Sequence, residues 1–372
     1  MLDMEAIKNF SIDKSDWKKV KFGDVVFEPK ESVKDPIAEG VEHVVGLEHI
    51  DSQEIQLERS GSTEGGTTFT KKFSKGDVLF GRRRAYLKKA AKANFAGICS
   101  GDITVMRTKK EKLIQDLLPF IVNNTKFFDY AIKHSAGGLS PRVKFKDLST
   151  NEIDLPPLNI QEDLLELLSS AEKLHSENIK LKHYLEVNNK VFVTNKISGM
   201  SEKSPVFKLG DLVEFTTGKL DSNASVENGT YPFFTCAPTT LKIDQYSFDC
   251  EALLLAGNNA SGVYPLKHYK GKFDAYQRTY VIQIKDSNSL MYSYLLEVLR
   301  NKLELLQRLS VGSSTKFLTI KVLKNLDVPV PLIDEQLDFV NKVSAYHQAI
   351  SDSDSNCNSY KNLYEELKQK VF

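Results

Sequence analysis

Over residues 160–198 the apolar positions follow a three-four rhythm: Leu164, Leu167, Ala171, Leu174, Leu181, Leu185 and Phe192. Asn178, Asn188 and Asn195 fill the remaining places. That rhythm predicts the seam of a heptad helix. Neither Pro nor Gly interrupts it before Gly199, and Glu162, Asp163 and Glu166 crowd the first turns, where the helix dipole favours negative charge. At ~1.5 Å per residue such a helix is roughly 55 Å long. Residues 334–372 repeat the pattern, with Val343, Ile350, Cys357, Tyr364 and Val371 at every seventh place. Phe339, Tyr346, Tyr360 and Leu367 form the companion position, with Ser353 as its polar exception. A Pro-rich strand exit precedes each helix, Pro156 and Pro157 before the first, Pro329 and Pro331 before the second. The chain is therefore globule, helix, globule, helix, with expected boundaries at 1–157, 158–200, 201–331 and 332–372.

The globules mix alternating strands with helical stretches, an α/β (α+β) pattern. In the first, strands are expected at 44–50, 78–80 and 103–106 and a helix at 111–134; a single helical turn is expected at 4–10. In the second, strands are expected at 252–256 and 280–284 and a helix at 290–309. Long polar loops lie at 59–70 and 220–230. The globules are also copies of one another. Phe22, Gly23 and Asp24 recur as Leu209, Gly210 and Asp211, and residues 135–143 align with 309–317. A repeated domain plus helix implies pseudo-twofold symmetry.

Composition narrows the function classes. With 372 residues, 41% of them hydrophobic, the chain can build two or three cores, yet its apolar runs are too short to span a bilayer. The N-terminal residues lack the apolar core of a signal peptide. Cys99, Cys236, Cys250 and Cys357 are scattered without metal spacing, so a reducing cytoplasm is the expected location. A net charge of +1 leaves the matter to local clusters.

The sharpest cluster is Arg82, Arg83, Arg84, Tyr86, Lys88 and Lys89, at the end of a strand and with no acidic residue between Val78 and Gly101. Consecutive guanidiniums suit phosphate contact and bidentate reading of guanine edges; a solvated charge run is the competing explanation, against which Lys71 and Lys72 nearby weigh. A second group comprises Gly137, Gly138, Ser140, Arg142 and Lys144, matched in the repeat by Gly312, Ser313, Ser314, Thr315 and Lys316. Small residues let backbone amides approach a phosphate, and the hydroxyls and cations add contacts; a plain Gly-Ser turn is the bland alternative. Gly257, Asn258, Asn259 and Ser261 occupy the slot of the arginine loop, and Asn suits adenine edges or, equally, turns. Lys267 and Arg278 complete the second repeat's candidate DNA contacts. Searches for dinucleotide and phosphate-loop motifs fail, and residues 154–158 miss a methyltransferase Asp-Pro-Pro-Tyr loop through the inserted Leu155. No catalytic or metal residue is assigned.

With repeat, helices and exits assembled, the chain resembles the specificity subunit of type I restriction-modification systems from Trp17 to Phe372. Residues 76–89 and 98–105, and the two exits running into Gln161 and Gln336, carry the resemblance most specifically. The second exit counts one residue more between Leu332 and Gln336 than the first between Leu158 and Gln161. The resemblance implies two target-recognition domains, each reading one half of a split, asymmetric DNA sequence, and two helices paired as an antiparallel coiled coil that fixes the spacer. It further implies a non-catalytic chain without cofactor, with S-adenosylmethionine in partner modification subunits, two of them expected, and ATP with Mg²⁺ in a restriction/translocase partner. A coiled-coil scaffold without DNA readout, and a self-sufficient methyltransferase or nuclease with a cryptic site, are the rival expectations.

Overall fold

The computed structural model describes residues 11–260 and 262–372. The turn expected at 4–10 and Ser261 lie outside them. By packing, the chain forms two units, Met1–Ile179 with Ser355–Phe372, and Lys180–Asp354.

In the first unit, β1 (Lys18–Lys21), α1 (Phe22–Val25) and β2 (Val26–Phe27) lead into β3 (His43–Val45), β4 (Gln56–Leu57), β5 (Gly61–Ser62) and β6 (Lys71–Phe73). Then follow β7 (Val78–Gly81), β8 (Ala90–Ala93), β9 (Gly97–Cys99) and β10 (Ile103–Thr108). They build a five-stranded sheet in the order β2-β10-β7-β8-β4 and a four-stranded one, β5-β3-β9-β6. The strand expected at 44–50 ends early because the Gly46 amide donates to His49 Nδ1 at 2.9 Å, turning residues 47–49 into a 3-10 turn. The helix expected at 111–134 is two helices, α2 (Leu118–Val122) and α3 (Thr125–Lys133). Asn124 divides them, its side chain accepting from the Lys126 amide at 2.9 Å as the cap of α3. α4 (Phe145–Leu148) and β11 (Glu152–Leu155), paired with β1, close the unit and lead to α5 (Leu158–Lys203).

The second unit follows the same plan. β12 (Val206–Lys208), α6 (Leu209–Leu212), β13 (Val213–Thr217), β14 (Tyr231–Phe234), β15 (Leu241–Ile243), β16 (Phe248–Ala256) and β17 (Asn258–Asn259) come first. β18 (Leu266–Ala275), β19 (Thr279–Ile284), α7 (Tyr292–Asn301), α8 (Leu303–Leu309), β20 (Lys316–Phe317), α9 (Ile320–Lys324) and β21 (Asp327–Pro329) lead to α10 (Ile333–Val371). The main sheet runs β13-β19-β16-β18-β14-β15. The helix expected at 290–309 breaks at Lys302, which lies between α7 and α8.

α5 overruns its expected end, passing through Gly199 and stopping before Pro205, whereas α10 stays within its expected bounds. Each is docked by a glutamine with no exposed surface. Gln161 Oε1 accepts from the Ile114 amide at 3.0 Å, while Nε2 donates to the carbonyls of Lys112 and Pro156, both at 2.9 Å. Gln336 does the same with the Met291 amide (2.9 Å) and the carbonyls of Ser289 (2.8 Å) and Pro331 (2.9 Å). Each glutamine thus bonds the proline five residues before it, so the exits are equal in length and Pro157 corresponds to Leu332. The extra residue expected in the second exit does not exist.

Within each unit the helices pair antiparallel. In the first, Leu164, Leu168 and Ala171 of α5 share a core with Leu363, Tyr364, Leu367 and Val371 of α10 and with Phe22, Phe80 and Phe127 of the globule. In the second, Val193 and Ile197 meet Phe339, Val343 and Tyr294. α10 buries Phe339, Val343, Ser353, Tyr364, Leu367 and Val371 of its predicted seam, with Tyr346, Ile350, Cys357 and Tyr360 half-buried. On α5 one row of the predicted seam, Leu164, Ala171, Asn178, Leu185 and Phe192, holds, while the companion row beginning at Leu167 shifts by one residue. Leu168 is fully buried, whereas Leu181 is 49% exposed and Asn195 lies on the surface. The seam is 164, 168, 171, 175, 178, 182, 185, 189 and 192, so its middle holds His175, Asn178, Lys182 and Asn189. Asn178 Nδ2 donates to Cys357 Sγ at 2.9 Å and Lys182 pairs with Asp354 at 2.5 Å.

Candidate nucleic-acid interface

The arginine loop begins where β7 runs out. The Arg82 amide donates to the Asp102 carbonyl at 3.0 Å, and the Arg82 carbonyl accepts from the Val143 amide at 3.0 Å. Arg83 then pairs with Arg142 as an antiparallel bridge, and the Arg84 amide donates to the Pro141 carbonyl at 2.8 Å. Three segments distant in sequence, the loop after β7, the turn before β10 and the loop before α4, therefore meet at one corner. Gly137, at φ 114°, gives the last of them its left-handed turn. Arg84 and Lys88 also take left-handed backbone, at φ 54° and 49°, on either side of the 3-10 turn 85–87. Non-glycine residues there hold about 1–3 kcal/mol of strain, a cost that concentrates at functional positions.

The side chains converge on one carboxylate. Asp102 Oδ1 accepts from Arg142 Nε at 2.7 Å and Oδ2 from Arg83 Nη1 at 3.2 Å, while Arg83 Nη2 donates to Ser140 Oγ at 3.1 Å. Burial pushes the Asp102 carboxyl up, but the hydrogen bonds and charges of Arg142 and Arg83 prevail and hold it below the usual carboxylate range. The guanidiniums stay accessible, with side chains 38% exposed for Arg83 and 44% for Arg142, above a carboxylate that is 21% exposed. Arg82 Nε and Arg83 Nε are buried without a hydrogen-bond partner among the described residues. Arg84, Tyr86 and Lys144 are exposed around this centre, and Lys88 is half-buried.

The second repeat builds the same corner. The Gly257 amide donates to the Arg278 carbonyl (2.7 Å), the Gly257 carbonyl accepts from the Leu318 amide (2.8 Å), and Asn258 and Asn259 pair with Phe317 and Lys316. Gly312 matches Gly137, at φ 110°. Strand register fixes the correspondence, since Gly81 faces Ile103 as Ala256 faces Thr279. Arg82, Arg83 and Arg142 therefore match Gly257, Asn258 and Phe317, one residue away from the alignment expected from sequence. Asp102 matches Arg278, whose guanidinium lies 5.7 Å from the Phe317 ring centroid. Ser313 and Ser314 are exposed, and Thr315 and Lys316 are half-buried beside this corner.

Two further expected cations are already occupied. Lys71 Nζ is ion-paired to Glu28 at 2.6 Å and donates to the Ile103 carbonyl at 2.8 Å, tying β6 to β10; Lys72, next to it, is exposed. Lys267 Nζ donates to the Ala237 carbonyl (3.2 Å) and Thr240 Oγ1 (3.1 Å), and burial lowers its affinity for the proton. Sequence reasoning assigned no role to Asp102, nor to Leu139, which is 97% exposed at the tip of the loop holding Ser140.

The family model described as the type I restriction modification DNA specificity domain matches residues 14–188 and again 201–355. Two matches over most of the chain establish the class: this protein belongs to that family and carries its domain twice. Among particular relatives, the type I restriction enzyme EcoDI specificity subunit of Escherichia coli is 32% identical over 164 residues, 44% of this chain and 36% of that protein, so the match spans about a third of that relative. The putative type I specificity subunit S.MpnORF201P of Mycoplasma pneumoniae is 25% identical over 208 residues, 54% of this chain and 84% of that protein. The fold is shared with the type I restriction-modification S subunit from M. genitalium (TM-score 0.63, 13% identity, 96% of each chain). It is shared also with a chain solved in work on complex assembly and conformational transition of the type I R-M system (TM-score 0.58, 19% identity, 95% of this chain and 97% of that one). Among the described residues no helix is long and apolar enough to cross a membrane, and no cluster of three or more His, Cys, Asp or Glu side chains is arranged to hold a metal ion.

Proposed function

We propose that this chain is the DNA-reading subunit of a type I restriction-modification complex, each repeat recognising one half of a split, asymmetric duplex target and the paired helices α5 and α10 setting the spacer. The observation that carries the reading is the corner built twice on one backbone plan with different side chains. The first presents Arg82, Arg83, Arg84, Ser140 and Arg142; the second presents Asn258, Asn259, Arg278, Thr315 and Lys316. Arginine suits guanine edges and asparagine suits adenine, so unlike loops in equivalent places read unlike half-sites. Methyl transfer is left to two modification subunits that bring S-adenosylmethionine, and cleavage to a restriction subunit using ATP and Mg²⁺.

Base-resolution mapping of methylated adenines, in cells expressing the cognate modification subunit with and without this chain, tests the reading. The expected result is a split motif that appears only with the chain and whose halves change separately when either repeat is exchanged. Chain-independent methylation, with the subunits bound to one another, supports a scaffold instead. Methylation by the purified chain alone refutes the division of labour.

A further inference from the structure

The two repeats build one backbone corner with opposite charge at its central position. A carboxylate, Asp102, stands in the first repeat where a guanidinium, Arg278, stands in the second. The facing positions are Arg83 and Arg142 in one, Asn258 and Phe317 in the other. We infer that these three equivalent positions are the selectivity triad of each repeat, and that Asp102 is the positioning residue of the first, aiming two guanidiniums at a guanine edge. The inference rests on the DNA-reading function proposed above.

An acid at the centre of a basic loop opposes attraction to phosphate, so its presence calls for a gain elsewhere. Backbone closure is not that gain. The amides of Arg82, Arg84 and Val143 close the corner by main-chain bonds to the carbonyls of Asp102, Pro141 and Arg82, none of which uses the carboxylate. What the carboxylate does is fix direction. A guanidinium on a free arginine samples many rotamers, and a bidentate base contact must then bear the cost of ordering it. Arg83 is held at both terminal nitrogens, Nη1 by Asp102 and Nη2 by Ser140, and Arg142 is held at Nε and, at longer range, Nη2 by Asp102 and at Nη1 by the Ser140 carbonyl. Each terminal nitrogen of these forks carries two N–H groups, so donors remain for a ligand on the more exposed side. In the second repeat Arg278 lies over the Phe317 ring, and among the described residues no acid pairs with it, so the aromatic face orients a single guanidinium there.

The test uses the full chain in complex with its modification subunit and a randomised DNA pool, scored by the bases enriched at each position. Asp102→Asn keeps the shape and removes the charge. Discrimination at one position of the first half-site should fall roughly ten- to hundredfold, with binding to unrelated DNA unchanged or tighter. Preferences in the second half-site, read from the same molecules, should be unchanged and thereby report correct folding. The mirror variant Arg278→Gln should alter the second half-site alone. First-half preferences that survive Asp102→Asn overturn the inference, as does a loss spread evenly over all bases with their ranking kept, which a merely structural ion pair would give. Should Asp102→Asn fail to assemble, Arg278→Gln decides by changing or sparing the second half-site. A native complex that selects no split sequence refutes the DNA-reading function itself.

Discussion

Replacing Gln161 with Met tests how the long helix is docked. The swap keeps a similar volume and removes three hydrogen bonds, to the Ile114 amide and to the carbonyls of Lys112 and Pro156. Lys112 is exposed, so water can take up its carbonyl, whereas Pro156 is buried and Ile114 half-buried. Two main-chain groups are then left without partners, at about 1–3 kcal/mol each and not fully additive. The expected loss is roughly 2–4 kcal/mol, which for a domain of 150–250 residues at about 2–4 °C per kcal/mol lowers Tm by roughly 4–15 °C. Differential scanning calorimetry of the native chain and of Gln161→Met, Gln336→Met and the double variant measures it. Each single variant should shift the transition of its own unit, and the effects should add because the sites share no partner. A Tm within 1 °C of the native value for Gln161→Met would falsify the claim that this side chain satisfies otherwise orphaned backbone groups.

Cys99 is fully buried and its thiol is pushed up to about 12, chiefly by burial, so iodoacetamide at pH 8 should leave it unlabelled in the folded protein while labelling it in denaturant; rapid labelling of native Cys99, seen by peptide mass spectrometry, would contradict the core described here. Arg84→Ala should weaken DNA binding evenly across sequences and reduce the salt slope by about one unit, since Arg84 is exposed beside the clamped pair; a sequence-dependent loss would make it a base-reading residue. Deleting residues 182–188 together with 347–353 removes about 10 Å from both helices while keeping the heptad phase, and should shorten the spacer without altering either half-site; altered half-sites in the methylation map would refute the spacer role.

The elements that were legible in sequence are those whose burial follows from one periodic pattern. α10 buries Phe339, Val343, Ser353, Tyr364, Leu367 and Val371 of its expected seam and half-buries Tyr346, Ile350, Cys357 and Tyr360, while Leu363 and Lys368, outside that periodicity, are buried as well. On α5, Leu167, Leu174 and Leu181 form a more apolar row than Leu168, His175 and Lys182, yet the latter row faces α10. Polar seam residues are satisfied there by partners far away in sequence, such as Asp354 for Lys182, which no local periodicity reveals. The arginine loop and its counterpart were found from charge and small residues, but their alignment was one residue out. The hydrogen bonds of Arg82 and Gly257 correct it, and only then does Asp102 face Arg278. A lone aspartate in a turn carries no signal until register puts two guanidiniums on it.

The first unit is completed by residues 355–372, which lie far along the chain from the rest of it. Asn124 Nδ2 donates to the Lys368 carbonyl at 3.0 Å, and Leu363, Tyr364 and Leu367 seal the face that Leu164 and Leu168 begin. During synthesis the second unit, one continuous segment, has all its parts before the first does. At about 5–20 residues per second, the ribosome needs roughly 10–35 s to travel from Ile179 to Ser355. Over that interval the earlier-made globule waits with an apolar flank open to chaperones, to aggregation, or to the equivalent helix of another nascent chain.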